Sequence, residues 1–152
     1  MEVNNCEGLS FLTWDMFDSP DVPNSGYKFM EREPVILLDN IIKKYRITIK
    51  VILGYVSKSY ADKLRLVRSN SHRVGKAVKI RCVGTKKRLT LVRGLVQQGV
   101  HRIGVSNDYV YFDTDDLKER AFYIWNNVDC FVLFKSVVLC KRGGFVLPPL
   151  FC

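Results

Sequence analysis

Hydrophobic and polar positions repeat along this chain with a period that switches between about four and two, and the switches mark the elements. From Pro34, Val35, Leu38, Ile41, Ile42 and Tyr45 recur at helical spacing, which predicts a helix over residues 34–45 with that stripe on the core. Proline suits the first helical position, where its missing N–H costs nothing. Residues 46–55 change to period two, with Ile47, Ile49 and Val51 set against Thr48 and Lys50, and predict a strand. A short helix is expected over 59–67. Residues 76–83 predict a second strand with Ala77, Lys79 and Arg81 on one face. Val78, Ile80 and Cys82 take the other face and should pack on the helices.

Residues 86–98 predict a helix with a buried stripe of Leu89, Val92, Leu95 and Val96, closed by Gly99. Segments 100–105 and 109–113 predict a hairpin about Ser106-Asn107-Asp108. Thr114 then caps an expected last helix over 115–125, with acids in its first turn. Ahead of these elements, residues 9–17 (Leu9, Phe11, Leu12, Trp14, Phe17) predict a short helix or a packed arm. Residues 18–26, with two prolines, two aspartates and a glycine, predict a stiff, irregular loop. After residue 125 the pattern breaks into short apolar runs, Lys135, Lys141-Arg142, a Gly143-Gly144 pair and Pro148-Pro149. An edge hairpin or an unstructured segment both fit there. The sum is one α+β domain over 9–125, a small, mainly antiparallel sheet with packed helices, followed by a tail, 126–152, of unknown role.

Composition agrees with that picture and adds one feature. A chain of 152 residues can build one core, and 47% hydrophobic with 26% charged residues argues against wholesale disorder. The formal charge of +9 favours polyanionic partners such as nucleic acid or an anionic wall polymer. Five cysteines without a C-x-x-C pair argue against a disulfide framework and against a thiolate zinc site. The first residues lack the basic and apolar regions of a signal peptide, so synthesis is expected in the cytoplasm. No apolar run approaches the ~20 residues of a membrane span.

Candidate chemistry centres on His72, which sits in a loop of small polar residues just ahead of a strand. The run Asn70-Ser71-His72, then Gly75, Ala77 and Lys79, resembles the S-x-H-x-x-G-x-A-x-D motif of the zinc D-Ala-D-Ala carboxypeptidases and related phage peptidoglycan endopeptidases. Asn70 takes the serine position and Lys79 the acid. The D-S-P-D-x-P-x-S-G string at 18–26 is similar to the N-terminal signature of the phage and prophage branch. Leu53-Gly54-Tyr55-Val56-Ser57 resembles S-G-Y-R-[ST], and Tyr60-Ala61 stands where many relatives have His-Asn. The hairpin resembles the family's closing pair, with its second histidine ligand falling on Tyr111 and Asp113 kept. Trp125 matches a tryptophan near which many relatives end.

The resemblance implies a Hedgehog/DD-peptidase fold and a phage or prophage origin. In the family, His, Asp and His hold zinc, and the fourth position carries a water whose pKa the metal lowers. Only His72 of those ligands remains. Lys79 brings a positive charge, and Tyr111 could ligate only as a phenolate. Val56 replaces the arginine that binds the substrate carboxylate and has no side-chain donor, which leaves Tyr55 and Ser57 of that loop. The implied protein is a peptidoglycan-peptidase homologue without zinc or turnover, with no catalytic residue assignable.

Alternatives remain open. Asp113 and His101 could join His72 in a rearranged, active metal site. Lys79 and Asp113 are otherwise expected to form an ion pair across the metal position. A non-enzymatic binding protein would use Lys43, Lys44, Arg81, Lys86, Lys87 and Arg88 against nucleic acid or wall polymer. Retained peptidoglycan-peptide binding or a gene in decay also fit, and the oligomeric state stays open.

Overall fold

The structure, a computed structural model, describes residues 8–68 and 70–124. The expected tail over 126–152, Trp125 and the N-terminal leader residues therefore lie outside the described residues.

The order of elements is a 3-10 turn (Trp14–Phe17), α1 (Ser25–Phe29), α2 (Arg32–Tyr45), β1 (Lys50–Leu53) and α3 (Lys58–Lys63). A second 3-10 turn (Ser71–Val74), β2 (Ala77–Arg81), α4 (Thr85–Gln97), β3 (Arg102–Val105), β4 (Tyr109–Asp113) and β5 (Ala121–Ile124) follow. The five strands form one sheet in the order β1-β2-β4-β3-β5. All neighbours are antiparallel except β3 and β5, which run parallel. The α+β architecture expected from the pattern is the one observed.

One face of the sheet carries the core. Val78 and Ile80 of β2, Cys82 just after it, and Val110 and Phe112 of β4 are buried against Val35, Leu38, Ile41 and Ile42 of α2 and Leu91 and Leu95 of α4. The alternation predicted for β2 holds, and so does the stripe of α2. Pro34 sits at the third helical position rather than the first, still inside the turn whose N–H groups have no helical partner. On α4 the stripe is rotated from the expected one: Leu91, Gly94 and Leu95 are buried, whereas Leu89 and Val96 face out. Gly94 causes the shift. A Cβ there would lie 2.8 Å from Ile41 Cγ2, so the bare backbone is what lets α4 approach α2.

Three other expectations need correction. The strand over 46–55 contracts to Lys50–Leu53, because Arg46 takes a left-handed φ of 52° to end α2. The helix over 59–67 stops at Lys63, with Arg65 at φ 54°. The last helix, expected over 115–125, is instead a turn followed by β5. Buried Ala121 and Tyr123 alternate there with exposed Phe122 and Ile124. The open edge of β3 supplies backbone partners for the whole β5 segment, and that outweighs the cap signal at Thr114.

The N-terminal arm is tied down by one carboxylate. Asp39, buried on α2, accepts the backbone N–H groups of Ser10, Phe11 and Leu12 at 2.8 to 3.0 Å. This places Trp14 and Phe17 in the core. Phe17 in turn accepts the Tyr55 N–H at 2.9 Å and lies so close to Gly54 that a Cβ there would sit 2.6 Å from the Phe17 Cα. Replacing Asp39 by alanine strands three amides; the expected loss is about 3 kcal/mol of unfolding free energy in urea, with Trp14 fluorescence reporting the arm.

Candidate functional site

The segments singled out in the sequence meet around His72. Its loop is shaped by Asn70, whose side chain accepts the His72 N–H at 3.0 Å, and by Gly75, which ends the 3-10 turn at φ +71°. A side chain at Gly75 would collide with the Phe29 carbonyl at 2.1 Å. The imidazole is buried, and its Nδ1 pairs with the Gly54 carbonyl at 2.8 Å. Burial, with lesser contributions from the Lys79 and Lys118 charges, lowers its pKa to about 4 against the pull of the Gly54 and Ala77 backbone.

Lys79 and Tyr111 are direct partners in the β2–β4 register, and the Tyr111 ring meets His72 edge-on at 5.5 Å between centroids. The three positions that the motif resemblance singled out are thus brought together. Their chemistry, however, does not fit a zinc ion. The Tyr111 hydroxyl donates to Asp113 Oδ2 at 2.5 Å, and burial and the Asp113 charge push its pKa well above the usual phenol range, so it stays protonated. The Lys79 ammonium lies over the Tyr109 ring, 4.0 Å from its centroid. Among the described residues no three histidine, cysteine or acidic side chains are grouped to hold a metal.

Asp113 is buried and takes its ion pair from Arg102, not from Lys79 as expected. Arg102 Nε donates to both carboxylate oxygens at 2.9 and 3.1 Å, and the Asp115 amide adds a bond at 3.2 Å. Arg102 also donates to Tyr123 Oη at 2.8 Å and to the Glu119 carbonyl. His101 does not join this group. It lies just ahead of β3, is exposed, and lines the cleft beside Asp113 without entering the hydrogen-bonded cluster.

The residues of the 53–57 loop hold structure. Val56 is buried, and its N–H donates to the His72 carbonyl at 3.1 Å. Tyr55 packs its ring on Phe29 at 5.0 Å. Ser57 caps α3 through the Tyr60 N–H and donates to Asp21 at 2.6 Å, while Ser19 donates to the other Asp21 oxygen at 2.5 Å. These two hydrogen bonds hold the Asp21 pKa below the usual carboxylate value. The 18–26 loop and the 53–57 loop are therefore joined by a serine–aspartate–serine bridge.

Beside Asp113 opens a cleft of about 580 Å³ between the start of α2 (Glu31, Glu33), Lys76 and the turn carrying Asp116, Lys118 and Arg120. Behind its wall Ser71 donates to Asp115 at 3.0 Å and accepts from Lys118 at 2.6 Å. Burial works against ionisation of Asp115, but the Lys118 and Ser71 hydrogen bonds hold its pKa below the usual value. Sequence reasoning missed Arg102, Ser71 and Tyr123. The expected three-residue turn at 106–108 would set Arg102 opposite Phe112; the observed register pairs Val105 with Val110 and so places Arg102 opposite Asp113.

His72 makes stability depend on pH in a defined direction. The folded imidazole stays neutral to about pH 4, whereas the unfolded one protonates near 6.5. Its contribution is complete above that upper value and is lost as pH falls through the interval, by roughly 3 kcal/mol in all. Urea unfolding of the wild type and of His72→Asn across this range is expected to show the slope in the first and to have it reduced in the second.

No protein-family model matches the chain, and no curated protein matches its sequence.

Proposed function

We propose that this protein is a non-hydrolytic homologue of the zinc D-Ala-D-Ala carboxypeptidases and phage peptidoglycan endopeptidases, in which a hydrogen-bonded cluster stands where the family holds its metal. The observation that carries the reading is the meeting of His72, Lys79 and Tyr111 from a loop and two paired strands. Lys79 and Tyr111 meet through the β2–β4 register, and the loop leading into β2 brings His72 to the Tyr111 ring, the arrangement the resemblance implies. With Lys79 cationic, Tyr111 protonated and Val56 buried, the centre neither activates water nor grips a carboxylate in the family's way. Its remaining role is binding. The cleft beside Asp113 carries both signs of charge and suits a zwitterionic wall peptide. A phage or prophage gene is the origin this reading implies.

Side chains directly opposite on paired antiparallel strands have Cβ atoms about 5 Å apart, close enough to share a metal. An imidazole at 111 could also donate its second N–H to Asp113, the support that metal-binding histidines commonly have. The combined Lys79→Asp and Tyr111→His variant is therefore expected to hold about one zinc per chain by elemental analysis. Removing His72 from that variant should abolish the binding. A double variant with native circular dichroism that takes up no zinc would sink the proposal.

A further inference from the structure

Charge is distributed unevenly along the chain. Between Asp62 and Asp108 there is no carboxylate, and there are twelve lysines and arginines. Of the six cations expected to form one basic surface, Arg81 does not share the helical layer with the others. Arg81 points to the sheet face that carries Lys79, away from the helices, and Arg88 is engaged with the Asn107 carbonyl. What remains on the helical layer is a narrower and chemically different surface.

On α4, Lys86, Leu89, Arg93 and Val96 recur three and four residues apart on the side away from the core, and all are exposed. Leu89 keeps 67% and Val96 58% of its surface in water. They lie seven residues apart, about 10 Å along the axis, with Arg93 between them. The neighbouring end of α2 adds exposed Lys43 and Lys44, and Lys44 Nζ reaches Gln97 of α4 at 3.0 Å, which joins the two helices into one surface. Among the described residues no helix is long and apolar enough to cross a membrane, so this layer could meet a bilayer only from its surface.

We propose that the outer face of α4, extended by Lys43 and Lys44, docks on an anionic phospholipid bilayer, with Leu89 and Val96 entering the interface between cations that meet the headgroups. Charge complementarity selects an anionic partner, and the aliphatic side chains select a bilayer among anionic partners. A nucleic-acid backbone rewards Lys86 and Arg93 but leaves Leu89 and Val96 in water. An acidic peptide would need a groove, whereas an exposed helix face is a ridge. A bilayer satisfies both kinds of side chain, because basic residues near an anionic surface gain about 1 kcal/mol each and buried aliphatic groups add to that.

The test is cosedimentation of the full chain with vesicles of phosphatidylcholine alone or mixed with phosphatidylglycerol, and, separately, its binding to duplex DNA. Wild type is expected to bind the mixed vesicles and not the neutral ones. Leu89→Ser with Val96→Ser should weaken vesicle binding at least about tenfold without changing any DNA binding. Lys86→Glu with Arg93→Glu should weaken vesicle binding about a hundredfold or more. All four positions are exposed, so an unchanged unfolding midpoint is the check on folding. No binding to mixed vesicles, or binding that ignores the loss of Leu89 and Val96, overturns the proposal. In the second case the surface is a general polyanion site, and DNA binding would share its salt dependence.

Discussion

A carboxylate removed from water is costly unless donors surround it, and the buried Asp113 is where this fold meets that condition. Its donors come from β3, from its own strand and from the following turn: Arg102 on both oxygens, Tyr111, and the Asp115 amide. Each donor is in turn held elsewhere. Arg102 reaches Tyr123 on β5 and the Glu119 carbonyl, so the edge strand is attached through the same ion pair. Tyr111 rests against His72, and His72 is fixed by the Gly54 carbonyl. Gly54 lies against Phe17, whose arm is anchored by Asp39. A continuous series of contacts thus runs from one edge of the sheet to the N-terminal arm, with buried Asp113 near its middle and buried Asp39 at its far end.

This arrangement gives a physical account of how the proposed loss of metal could leave a stable fold. A zinc site supplies a positive centre that gathers side chains from separate elements. Here Arg102 supplies the charge, and its planar, multi-donor head serves a carboxylate, a phenol oxygen and a carbonyl together. Tyr111 contributes a proton rather than a lone pair. The result is a centre built for donating hydrogen bonds to a fixed anion, the reverse of one built to hold a cation and its water. The two faces of the molecule then differ in kind. The sheet face holds this polar cluster, and the helical layer shows cations with exposed aliphatic groups.

Much of the fold was legible because periodicity reports burial. The α2 stripe is buried at Val35, Leu38, Ile41 and Ile42 and half-buried at Tyr45, and the alternation of β2 also holds, since each faces the same core. Where the pattern misled, a tertiary partner decided. Leu89 and Val96 look like core positions until Gly94 rotates α4 toward Ile41. Residues 121–124 carry a weak local signal, and the unpaired edge of β3 makes them a strand. In the candidate site, the convergence of His72, Lys79 and Tyr111 could be anticipated from motif order. The Arg102 pair could not be anticipated from motifs, because it depends on strand register. Asp113 had two cations within plausible reach, and only the fold shows that Arg102 shares its face and register while Lys79 turns to Tyr109.

The dependence of the fold on this one charge is measured most directly by the unfolding free energy of Asp113→Asn in urea. The substitution keeps the shape, removes the charge and leaves the Arg102 guanidinium without its ionic partner. The account predicts a loss of about 3 to 5 kcal/mol, the usual effect of breaking a buried ion pair from one side. A variant within about 0.5 kcal/mol of wild type, the range of an ordinary surface change, would contradict it.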